Sequence, residues 1–262
     1  MVCSGVVLDP ATAPLDPARI AGMLAIGLVA GIANVTAGGG SMLTVPLMIL
    51  LGLPGPVANG TNRVALIAQN LVAVPTFRAG GIRGLRRLAP LIALALPGAA
   101  AGAWLGAVIP DAAFRRVLGA AVLVLAVLVI VRPRPPAGDA GPDGDGFRPL
   151  TWLAFALLGV YAGFLQAGIG FMIVFVLAGL ERLPLVRCHA FKVFVVLCLQ
   201  AVALPVFAWH GLVAWGHGLV LAVGLGLGGF VGARLTLAAG ERVLRVILGV
   251  AAVALAVRLL AG

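Results

Sequence analysis

The sequence predicts an all-α integral membrane protein made of two inverted-topology repeats, each of about four to five transmembrane or re-entrant helices. Three observations carry that prediction. The chain is 62% hydrophobic and only 10% charged, against about 45–50% and about 25% for a soluble domain. Its apolar stretches are continuous, as at 117–131 and 246–257, whereas barrel strands alternate polar and apolar residues. The segment Ala37-Gly38-Gly39-Gly40-Ser41-Met42 also returns, 130 residues later, as Ala167-Gly168-Ile169-Gly170-Phe171-Met172.

The same spacing pairs Pro54 with Pro184, Pro75 with Pro205, Phe77 with Phe207, Gly98 with Gly228 and Gly102 with Gly232. An internal duplication around a glycine-interrupted apolar segment is a common way of building a transporter. Residues 1–18 read as an N-terminal lead-in, without the basic-then-apolar pattern of a cleaved signal peptide. The first repeat covers 19–131 and the second 150–262. Between them, 132–149 is a polar linker rich in Pro, Gly and Asp, a composition that breaks helices.

Each repeat divides into five apolar pieces: 19–36, 41–53, 57–77, 85–108 and 114–131, then 150–166, 171–180, 187–209, 215–237 and 241–260. A spanning helix needs about 20 apolar residues. The second piece of each repeat is too short for an upright crossing and begins just after the glycine break. It is either a short crossing helix or one limb of a re-entrant hairpin. Irregular backbone at membrane depth is tolerated only where protein or a water-filled cavity satisfies it, so both breaks point inward. Close helix packing along a glycine seam is the plainer use of the same residues.

The net charge of +10 comes almost wholly from arginines at the ends of apolar runs. Neither a basic stripe nor a nucleic-acid-binding motif is present, so the charge reads as topology. The loop after the third piece carries Arg78, Arg83, Arg86 and Arg87, while its counterpart, 208–218, has no Arg or Lys. The loop after the second piece behaves oppositely: 51–60 is uncharged, and its counterpart holds Glu181, Arg182 and Arg187. By the positive-inside rule, equivalent loops lie on opposite sides of the membrane. That arrangement puts the linker in the cytoplasm and both termini outside, with Arg115 and Arg116 running against it. Cys3, Cys188 and Cys198 show neither a disulfide framework nor zinc spacing.

Polar side chains within the apolar pieces are few. Thr36 with Gln166, Asn62 with Lys192, Asn59 with His189, and Asn70 with Gln200 match in the repeat register. Such pairs suggest a shared cavity, although amides also join helices. Arg63 and Lys192, the chain's only lysine, stand one position apart in that register. A cation at the centre of a membrane helix costs roughly 2.5–3.5 kcal/mol and usually faces a cavity or partner. No carboxylate lies mid-helix, so an anion is the expected partner, with snorkelling to a headgroup as the alternative. Helices starting at Ser41 and Phe171 would add backbone N–H donors and positive dipole ends, which bind anions. The candidate substrate site is therefore Asn34, Thr36, Gly38, Gly39, Gly40, Ser41, Thr61, Asn62, Arg63, Asn70, Gln166, Gly168, Gly170, Lys192 and Gln200. No catalytic residues, metal ligands or cofactor are expected, and no phosphate-binding-loop ending follows the glycines.

The glycine cluster and apolar run of 31–46, Leu53-Pro54, Gly60-Thr61, Gly168-Ile169-Gly170 and Lys192 together resemble the sulfite exporter TauE/SafE family. The resemblance covers nearly the whole chain. It implies a multi-pass inner (plasma) membrane permease for sulfite, a sulfonate or a related organic anion. Ile169, and Phe191 opposite Thr61, are departures from the first copy's pattern. The expected partners are a small anion and the lipid bilayer, with no nucleic acid; a homo-oligomer stays open. So do a channel, a carrier of another small solute, and a non-transport membrane assembly protein.

Overall fold

The computed structural model describes residues 16–131 and 146–261, with side chains described through 125 and 238 in the two stretches. Most of the lead-in, the linker at 132–145 and Cys3 lie outside the described residues, as do the side chains from 239 onward.

Nine α-helices and no strand occur among the described residues: α1 Pro17–Ala37, α2 Ser41–Leu50, α3 Gly55–Ala79, α4 Ala89–Val108, α5 Asp111–Val131, α6 Pro149–Phe164, α7 Ile169–Gly179, α8 Leu185–Trp209 and α9 Trp215–Ala261. The ends follow local chemistry. Asp16 caps α1, its carboxylate accepting the Arg19 N–H at 2.7 Å, with Pro17 at the first helical position. Leu53-Pro54 and its counterpart Leu183-Pro184 set up α3 and α8, because a residue before proline is driven out of the helical region.

The second helices are short, 10 residues in α2 and 11 in α7, or roughly 15–17 Å at the helical rise. That is about half of a hydrocarbon core. Two boundaries differ from the sequence expectation. α7 begins at Ile169 rather than Phe171, because Gly170 continues the helix instead of breaking it. The last two pieces merge into the single 47-residue α9. The register position of Pro110, which separates α4 from α5, is occupied by Gly240. Glycine in a helix costs about 1 kcal/mol and does not stop it, whereas proline does.

Segments Pro17–Ala37, Leu85–Val108, Leu185–Trp209 and Trp215–Ala238 are long and apolar enough to cross a membrane. α3 has the length of α8, 25 residues, but its amides and Arg63 lower its hydropathy. All of those polar residues are buried. The outward faces are apolar instead, with Leu50, Leu71, Leu157 and Phe230 exposed, and Trp209 and Trp215 exposed at helix ends.

The two most extensive helix pairings join α1 to α9 and α4 to α6. Both are glycine seams of the small-xxx-small kind. A Cβ on Gly31 would stand 2.7 Å from the Leu225 carbonyl, and one on Gly106 2.7 Å from the Phe164 carbonyl. α3 and α8 pack on each other and fill the middle, α3 also against α9 and α8 also against α4.

Loops gather at the two ends of α3, α4 and α8. At one end the turn after α3 meets the turn after α7. A Cβ on Gly84 would lie 3.2 Å from an Arg187 Nη, Arg87 stacks 5.4 Å over Phe147, and Glu181 accepts the Arg148 N–H at 3.0 Å. At the other end the first two turns of α3 meet the turn after α8 and the start of α5. There Thr61 accepts the Ala214 N–H at 2.9 Å, and Asp111 accepts the Gly55 N–H at 2.5 Å. Arg115, which ran against the charge pattern, is ion-paired with Asp111 at 2.7 Å at this second end.

Candidate functional site

The two glycine breaks lie against each other in the middle of the fold. Gly38 (φ 87°) ends α1 and Gly168 (φ 72°) precedes α7, both left-handed. The Phe171 N–H donates to the Gly38 carbonyl at 3.1 Å. The Gly168 N–H donates to Ser41 Oγ at 3.1 Å, and the Ser41 hydroxyl reaches the Gln166 carbonyl at 3.4 Å. A Cβ on Gly38 would stand 2.5 Å from the Phe171 nitrogen, and one on Gly170 would stand 2.9 Å from both Gly38 O and Lys192 Cδ. Only glycine combines that backbone angle with that approach. Gln166 is itself left-handed at φ 54°, a conformation costing about 1–3 kcal/mol for a non-glycine. Its side-chain amide is anchored on the Asn59 carbonyl at 2.8 Å.

The two cations occupy parallel places. Lys192, on α8, donates to the carbonyls of Asn34 at 2.6 Å and Val35 at 2.8 Å, in the last turn of α1. Arg63, on α3, donates to the carbonyls of Ala162 at 3.2 Å and Gly163, in the last turn of α6. Each cation thus sits at the negative end of the first helix of the other repeat, among the carbonyls of its last turn. Neither snorkels: Arg63 is 0% and Lys192 2% exposed. Carbonyl oxygens, rather than an acidic side chain, offset the burial of these charges.

Their surroundings differ. Arg63 also donates to Gln200 Oε1 at 2.5 Å and stacks 4.4 Å over the Phe207 ring. Lys192 instead faces a narrow cleft lined by Asn34, Ser41, Leu66, Asn70, Ile169, Gly170, Val196 and Lys192 itself. The cleft's cavity volume is about 10 Å³, roughly the room of one water molecule, so an anion enters only as the surrounding side chains give way. Asn70 is 1% exposed, and its side-chain nitrogen has no hydrogen-bond partner among the described residues. A cation and an unpartnered amide N–H therefore converge on one small space beside the Ser41 hydroxyl, which is turned to the Gln166 carbonyl; cation and amide are donors suited to oxyanions.

Of the residues singled out in the sequence, Asn34, Ser41, Asn70, Gly170 and Lys192 line the cleft. Gly38, Gly168 and Gln166 frame it through the crossing of the breaks. Gly40 packs on Ala30 and Asn34, leaving no room for a Cβ, and Gly39 stands in the same turn. Arg63 and Gln200 lie together outside the cleft. Thr36 returns its hydroxyl to Ile32 O at 2.7 Å, and Thr61 is used on Ala214. Asn62 is buried with neither amide atom partnered among the described residues.

The structure adds three contributors. Gln69 accepts the Asn34 side-chain N–H at 3.1 Å, His189 Nδ1 lies 3.4 Å from Lys192 Nζ, and Phe207 carries Arg63. Repeat register already marked Asn59 with His189 and Phe77 with Phe207. Gln69 had only its polarity within an apolar run to signal it.

The family model described as sulfite exporter TauE/SafE matches residues 23–259. A probable membrane transporter protein, ORF9, of Sinorhizobium sp is 30% identical over 250 residues, covering 92% of each chain. One from Haemophilus influenzae is 28% identical over 230 residues, covering 85% of this chain and 87% of its own. The Escherichia coli probable membrane transporter protein YfcA is 24% identical over 246 residues, covering 94% and 91%. No solved structure matches. With the family model matched along most of its length, this multi-helical chain belongs to the sulfite exporter TauE/SafE family of membrane transporters.

Proposed function

We propose that this transporter is a permease for a small anion of the sulfite or sulfonate class, working in the inner (plasma) membrane by alternating access between two inverted repeats, 19–131 and 150–262. The observation that carries the reading is the cleft at the crossing of the breaks. A buried cation and an unpartnered amide face the same space beside a hydroxyl, with no carboxylate in its lining. A carrier of cations would need the reverse.

Inversion is supported by where the loops gather. The turn after α3 sits with the turn after α7, not with that after α8. The arginine-rich end is then cytoplasmic under the positive-inside rule, and the two cations clasp opposite repeats in the same manner. Rocking of one repeat against the other would carry the cleft from one side to the other.

Flux through the purified protein tests the reading. In proteoliposomes, sulfite and methanesulfonate should enter well above the rate of empty vesicles. A panel of sulfite, sulfonates and sulfate that gives no flux above empty vesicles defeats it, and favours a non-transport assembly role.

A further inference from the structure

Resting on the anion reading above, the two cation clasps are not equivalent. Arg63 is held by two carbonyls, the Gln200 oxygen and the Phe207 ring, and it does not line the cleft. Lys192 is held mainly by two carbonyls of α1's last turn and lines the cleft directly. A guanidinium fixed in a planar fork gives up such contacts less readily than an ammonium on a flexible stem. The repeat-register partner of Lys192, Asn62, carries no charge, so there is no second movable cation at the pseudo-equivalent place.

We propose that only the Lys192 half binds solute, as one monovalent oxyanion that draws the ammonium off the Asn34 and Val35 carbonyls, while Arg63 stays as a fixed clasp. One movable cation neutralises one charge. A dianion would leave a net negative charge buried among neutral groups, which membrane interiors disfavour strongly. The site therefore selects monovalent sulfonate-type anions over divalent sulfate. The Asn70 amide supplies the second donor to the oxyanion, and the Ser41 hydroxyl adds a third by turning away from the Gln166 carbonyl, which it reaches at only 3.4 Å. Binding also removes the clasp between α8 and the end of α1, next to the Gly38 break, so occupancy loosens the joint that must move.

The test uses the full chain in lipid nanodiscs, with methanesulfonate and sulfate titrated by calorimetry and amide exchange followed across 33–40. Methanesulfonate should bind at least tenfold more tightly than sulfate and raise exchange in that segment several-fold. Lys192→Met should abolish both effects. Arg63→Lys should keep methanesulfonate binding within about threefold while lowering the melting temperature of the unliganded protein. Equal affinity for sulfate, bound methanesulfonate with unchanged exchange at 33–40, or loss of binding in a folded Arg63→Lys protein each overturns the proposal. No binding of either anion by protein that transports another anion overturns the substrate class alone. Absence of both binding and flux defeats the transport reading itself.

Discussion

At Gly38 one residue has to satisfy three conditions: a left-handed backbone, contact with the opposite break, and a carbonyl free to accept the Phe171 N–H. Gly38→Ala meets only the last. A Cβ there falls 2.5 Å from the Phe171 nitrogen, and left-handed strain adds about 1–3 kcal/mol. Thermal unfolding in detergent should show a clear loss of melting temperature, while Gly22→Ala, in the same helix but where a Cβ meets nothing within 4 Å, should hold or slightly raise it. Gln200→Leu deprives Arg63 of a buried acceptor at 2.5 Å, and hydrogen bonds to charged groups are worth about 1.5–3 kcal/mol. That loss should appear as lower stability, read by the same melt. The identity of Lys192 and Arg63 as buried cations was legible from the sequence, because a cation inside an apolar run is costly. Their actual partners were not. Backbone carbonyls at a helix end carry no side-chain signature, so the sequence reading paired the cations with a solute, and with a lipid headgroup as the alternative.

α1 and α9, and likewise α4 and α6, are joined by glycines that let backbones meet, not by large apolar side chains. Without a hydrophobic drive between helices in lipid, close packing at small residues is what holds such pairs. Gly31→Val, whose branch would enter the Leu225 carbonyl, should split the α1–α9 pair. The expected result is reduced folded yield and faster proteolysis of α1, compared with the neutral exposed change Val29→Leu. Element existence was readable from the repeat, and the boundary prolines set the starts of α3 and α8. Two features were hidden. Gly170 was read as part of a break although it lies within α7, because glycine permits a break without requiring one. The join in α9 was hidden for the same reason, since Gly240 stands where the first repeat has Pro110.

For the whole molecule, the charge pattern makes a directional claim. The arginine-bearing turns after α3 and α7 should share the cytoplasmic face, and the turns after α2 and α8 should share the other. In a background lacking Cys3, Cys188 and Cys198, Arg83→Cys and Arg182→Cys should react with an impermeant maleimide only in inside-out vesicles. Gly52→Cys and His210→Cys should react only in right-side-out cells. Labelling of Arg83→Cys and His210→Cys from the same side would refute inversion. The duplicated glycine breaks meet at one point, where each supports the other and a single lysine faces the cleft between them. The central claim is that an anion is carried at that point. Its most direct test is the initial rate of sulfite uptake into proteoliposomes by wild type and Lys192→Ala, reconstituted at equal amounts of folded protein. The account predicts robust wild-type flux reduced at least tenfold in the variant; equal rates in the two proteins would contradict it.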